Sequence, residues 1–138
     1  MRKRTLAREF ALQVLYQVDI TSDSPENALV NFWSTQDDEK IDEELKEFTS
    51  DLVKGAVINK ELIDNKISQY AANWQLKRMA VVDRNIMRMG CYELLYRDDI
   101  PPKVSINEAV ELAKKFSGIE AGKFVNAILD KVKLEKEK

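Results

Sequence analysis

Four cations open this chain before its first acid, since Arg2, Lys3, Arg4 and Arg8 all precede Glu9. Such a run can neutralise phosphates. Each contact to a single strand adds about −0.7 to the log–log salt slope of binding, so four would give about −3. Arg8, Leu12 and Tyr16 are spaced four apart. On a helix they share one ridge, which sets a guanidinium beside a ring on which an unstacked base can lie. A second basic and aromatic cluster, Lys114, Lys115 and Phe116, is followed by Lys123 and Phe124. Lys123 falls in the first turn of a predicted helix, where free backbone N–H groups also favour an anion. Two plainer readings stay open: Phe116 and Phe124 as core residues, and the lysines as solubility charges.

Catalytic chemistry has little to draw on. There is no His, no Ser-His or Cys-His pairing, no P-loop and no glycine-rich dinucleotide turn. The acidic pairs Asp37/Asp38 and Asp98/Asp99 read as solvated helix-end residues rather than acid/base or Mg²⁺ groups. Cys91, the single cysteine, sits beside Met89 and Leu94 and reads as a small core residue. One thiol allows no internal disulfide and no zinc ligand set, which fits a reducing cytoplasm.

The formal net charge of −2 hides an uneven distribution. Residues 19–51 carry eleven acids against Lys40 and Lys46, a net of −9, while the other positions sum to +7. The protein is therefore basic with an acidic insert, and a charged ligand responds to the local field. Arg8, Glu9 and Gln13 interrupt the apolar stretch that an export signal needs. No apolar run reaches the roughly 18 residues of a membrane span, so a soluble protein is expected.

Helical periodicity organises the 138 residues, with no convincing strand alternation. A first helix over about 3–19 carries Leu6, Phe10, Val14 and Val18 beside Ala7, Ala11 and Leu15. Ser24 and Pro25 read as an N-cap followed by proline at the first helical position, opening a helix with Leu29, Phe32 and Trp33. Ile41, Leu45, Phe48 and Leu52 mark a third helix, broken at Asn59. Leu62, Ile63, Ile67, Tyr70 and Trp74 mark a fourth, and Val82, Ile86, Met89, Leu94 and Leu95 a long fifth ending before Pro101 and Pro102. Ser105-Ile106-Asn107-Glu108 matches a capping box, predicting that the sixth helix starts there and stops at Gly118. A connection over 118–122 leads to a seventh, with Phe124, Val125, Ile128, Leu129 and Val132 inward and a frayed charged tail from Lys133. The expectation is an all-α bundle of about seven helices in two subdomains, about 1–59 and about 60–132, with the tail at 133–138.

The stretches AREFALQVLYQVD (7–19), WQLKRMAVVDRNIMRMGCYELLY (74–96), INEAVELAKKF (106–116) and KFVNAILDKV (123–132) closely resemble the NusB family of transcription antitermination factors. The resemblance runs through nearly the whole chain in order. A rival is the similar RNA-binding domain fused to some rRNA cytosine methyltransferases. Its catalytic domain is several times larger than anything left after residue 132. The resemblance implies two small helical bundles that bind boxA RNA of rRNA operons together with NusE, a small-subunit ribosomal protein. The pair would join NusA, NusG and RNA polymerase, without a cofactor. By position, the family's basic arm resembles Arg2, Lys3, Arg4 and Arg8, and its RNA-facing aromatic resembles Tyr16. Lys115, Phe116, Lys123 and Phe124 would form the other rim of the RNA site, and Asp83 would lie near the NusE junction. Some relatives dimerise over the RNA surface. Ala127 replaces a Gly common in the family, and the basic arm is short; the first is neutral on a continuing helix, since Ala is the better helix former. A non-catalytic module that binds only protein is the remaining alternative.

Overall fold

A computed structural model describes residues 2–37, 41–71 and 76–137, the Lys77 side chain apart. Asp38, Glu39, Lys40 and Trp74, which entered the expectations above, lie outside the described residues. Seven α-helices and a single 3-10 turn, Leu76–Arg78, appear among them. The chain divides into two units, Met1–Ile58 and Asn59–Lys138.

The first unit contains α1 (Lys3–Thr21), α2 (Pro25–Ser34) and α3 (Glu43–Ile58), each in contact with the other two. Ser24 does cap α2, its hydroxyl accepting the Asn27 N–H at 3.1 Å ahead of Pro25. Asp42 does the same for α3 by accepting from the Leu45 N–H at 2.9 Å. Most of the expected ridge residues are buried, Ala7, Phe10, Ala11, Val14 and Leu15 on α1 and Leu45, Phe48 and Leu52 on α3, while Leu6, Val18 and Ile41 are half-buried. Each fully buried aliphatic side chain there contributes about 1.5–3 kcal/mol. Phe10, Phe32 and Trp33 form an aromatic triad with ring centroids 5.1–5.9 Å apart. The buried Thr49 hydroxyl lies 2.9 Å from the Leu45 carbonyl and 3.3 Å from that of Ala7, tying α3 to α1.

The second unit is built on α5 (Val81–Tyr96), which α4 (Lys60–Tyr70), α6 (Pro102–Phe116) and α7 (Ile119–Glu137) all contact. Every residue of α5 from Asn85 to Leu94 is buried, so this helix is enclosed on all sides. Two polar pairs inside it are matched. Arg88 grips Asp64 through Nε at 2.8 Å and Nη2 at 3.0 Å, the bidentate geometry that suits a partly buried carboxylate. The Ser105 hydroxyl donates to buried Glu93 at 2.9 Å. Burial pushes the Cys91 thiol up to about 12, so it stays protonated and inert.

Three expectations need correction. The sixth helix begins at Pro102, not at Ser105. Proline preset at the first helical position starts it, and Ser105 is turned inward to Glu93 instead of capping. Residues 119–122 are helical, because Gly118 alone makes the turn at φ 108°. The tail does not fray before Glu137: Lys136 donates to the Leu94 carbonyl and pairs with Asp98, both at 2.6 Å, and Glu135 accepts from Lys66 and Tyr70.

Candidate nucleic-acid interface

The basic start of α1 is more committed to its own unit than its sequence implies. Arg2 is exposed, while its carbonyl accepts the Leu6 N–H. Lys3 pairs with Asp42 at 2.8 Å and Glu44 at 3.1 Å. The hydrogen bond from Lys3 holds the Asp42 carboxyl below its ordinary 3.8, and Asp42 raises the Lys3 ammonium above 10.5. Arg4 is exposed with its guanidinium 4.5 Å above the Phe48 ring. Arg8, expected at the surface, is only 2% exposed and lies 5.2 Å from the same ring. The ridge it shares with Leu12 and Tyr16 is therefore buried at its first two members and emerges at Tyr16, which is 41% exposed.

On the second unit, the corner between α6 and α7 gathers the other expected residues. Lys115 is exposed with its ammonium 5.4 Å from the Phe116 ring centroid. Phe116 itself is 47% exposed, which removes the core reading for that ring. Phe124 is half-buried, and exposed Lys123 is 3.3 Å from Glu120. Gly122 lets the two helices close: a Cβ there would stand 2.9 Å from the Lys114 side chain.

Asp83 occupies the first turn of α5, and its Oδ1 is buried without a hydrogen-bond partner among the described residues. The acidic pair Asp98/Asp99 is engaged at the surface by Lys136 and Arg97. Among the described residues, no group of three or more His, Cys, Asp or Glu side chains is placed to hold a metal ion, and no helix is long and apolar enough to cross a membrane. Sequence reading missed Asp42 and Glu44 as partners of Lys3. The only signal was the acidic excess itself, which did not say where it would land.

Among the described residues the fold is built of α-helices and one 3-10 turn, and comparison with known proteins specifies the family. The family model described as "NusB family" matches residues 5–133. The transcription antitermination protein NusB of Desulforapulum autotrophicum is 46% identical over 136 residues, covering 99% of this chain and 94% of that protein. The structure of T. maritima NusB aligns with a TM-score of 0.86 at 37% identity, over 98% of this chain and 92% of that one. A complex of antitermination factors NusB and NusE with dsRNA also aligns at 0.86, with 30% identity and 98% of both chains covered. The chain belongs to the NusB family.

Proposed function

We propose that this protein is a non-catalytic transcription antitermination factor of the cytoplasm. It binds boxA RNA of rRNA operon leaders together with NusE, and the pair joins NusA, NusG and RNA polymerase. The observation that carries this reading is Phe116, a large ring kept 47% exposed with the Lys115 ammonium beside it. An exposed aromatic next to a cation is what base stacking on a single strand requires. Arg2, Arg4 and Tyr16 supply the same chemistry on α1, and Lys123 and Phe124 extend the α6–α7 corner. Lys3, paired with Asp42 and Glu44, and Arg8, buried against Phe48, contribute less to the RNA contact. Asp83, in the first turn of α5, is the position proposed for the NusE contact.

The test is fluorescence anisotropy of labelled boxA RNA and a scrambled control, with and without NusE, across a salt series. The reading expects boxA to bind more tightly than the control, more tightly still with NusE, and more weakly as salt rises. Equal or absent binding to both RNAs with NusE present would return the protein to the class of helical protein adaptors.

A further inference from the structure

Between α1 and α2 lies a groove of about 290 Å³, bordered by Gln13, Gln17, Asp23, Asn31 and Phe32. Its polar groups are uncommitted in a specific way. The side-chain carboxamides of Gln13, Gln17 and Asn31 make no hydrogen bond among the described residues; Gln17 and Asn31 accept only through their backbone carbonyls. Asp23 uses Oδ1 to accept the Ser24 N–H at 2.8 Å, which leaves Oδ2 to accept from a ligand. Phe32, fixed in the triad with Phe10 and Trp33, supplies an apolar wall.

These groups define the occupant by exclusion and by match. No cation lines the groove and Asp23 borders it, so a phosphate is disfavoured. The volume lies at the small end for ligand sites, too small for a docked helix. A carboxamide presents a donor and an acceptor side by side, the pattern that pairs with a base edge, and a carboxylate accepts from an exocyclic amine. Gln13 and Tyr16 are three apart on α1 and so are neighbours on its surface. A strand with one base stacked on Tyr16 thus passes the mouth of the groove.

We infer that the groove holds one unstacked base of the bound RNA and reads its edge through Gln13, Gln17 and Asn31. The inference rests on the RNA-binding reading above and adds a base-reading subsite to it. The test combines wild type and the double variant Gln17→Ala/Asn31→Ala with boxA RNA and a series of boxA RNAs, each abasic at one position. Both replaced side chains are exposed, and circular dichroism of the variant is the control for retained helices.

One abasic position is expected to weaken wild-type binding about tenfold. The double variant should lose about the same factor with intact RNA and nothing further with that abasic RNA. Its salt slope stays unchanged, because no charge has been removed. If wild type binds boxA and the variant binds equally well, the groove inference falls and the RNA reading stands. If wild type binds no RNA, both fall. A variant weakened only in its response to NusE would assign the groove to a protein partner and overturn the inference. So would a weakened variant with no abasic position matching it.

Discussion

The Lys3 ammonium lies 2.8 Å from the Asp42 carboxylate, so the second residue of the basic arm is already engaged at the entry to α3. The pair has a defined pH window. Asp42 titrates lower in the folded state, so its contribution is present above 3.8 and is lost as pH falls through the depressed value. Lys3 titrates higher, so its contribution is full below 10.5 and is lost as pH rises through the raised value. Asp42→Asn should move the Lys3 titration, followed by NMR, back toward 10.5. A Lys3 titration indifferent to that change would remove the pair.

The arm should carry less of the salt dependence than its composition implies. With Lys3 paired and Arg8 buried, replacing Arg2 and Arg4 together is expected to make the salt slope of RNA binding shallower by about 1.4, half of what four contacts would supply. A drop near 3 after replacing all four residues, with Lys3 and Arg8 each contributing a full share, would contradict these placements.

Arg8 and Phe116 should separate stability from binding. Arg8→Ala removes a buried guanidinium from the Phe48 face and is expected to cost about 2 kcal/mol or more in urea unfolding. Phe116→Ala, at an exposed position, should change stability by no more than about 0.5 kcal/mol. RNA binding should fall roughly tenfold or more from loss of one stacked base. The reverse pattern would mean that the two side chains have exchanged roles.

Ser105→Ala should destabilise the second unit by about 1–3 kcal/mol, since it withdraws a donor from the buried Glu93 carboxylate. A cap residue replaced by alanine typically costs about 1 kcal/mol, so size alone does not separate the two roles. The double variant Ser105→Ala/Glu93→Gln does: coupling between the two changes in equilibrium unfolding marks the inward link. Purely additive effects would restore the cap.

Two glycines should fail for opposite reasons. At Gly118, φ is 108° and a Cβ would meet nothing within 4 Å, so Gly118→Ala costs backbone strain alone, about 1–2 kcal/mol. At Gly90 the backbone is helical, but a Cβ would stand 2.8 Å from Leu129 and 3.3 Å from Ala109. Gly90→Ala therefore overpacks the core, at about 1–3 kcal/mol less about 1 for better helix propensity. Leu129→Ala should relieve the second defect and leave the first untouched, as read by thermal unfolding.

Local chemistry was legible in the sequence wherever nothing distant competed with it. Ser24-Pro25 and Gly118 did what their types dictate, and the apolar ridges of α1, α5 and α7 were buried over most of their length, with Leu6, Val18, Val82, Leu95 and Phe124 half-buried at their margins. Ser105 carried an equally good local pattern and lost to two long-range facts, the Pro102 start and the need of Glu93 for a donor. The same logic separates the expected RNA-site residues. A linear count treats Arg2, Lys3, Arg4 and Arg8 alike. A helix packed on α3 cannot, because one turn brings Arg8 under Phe48 and another brings Lys3 to Asp42. Whether Phe116 was core or surface turned on where α6 ends against α7, which spacing does not encode. The groove beside Gln13 and Asn31 needed two helices in register and left no linear trace.

The fastening of the last turn of α7 also sets an order of events during synthesis. The contacts that join α1 to α3 are complete once residue 58 is made, so the first unit can begin to fold on the ribosome. In the second unit, Lys66 and Tyr70 wait for Glu135, and the Leu94 carbonyl waits for Lys136. α4 and α5 therefore emerge before the residues that fasten them, the interval in which a chaperone has most to hold.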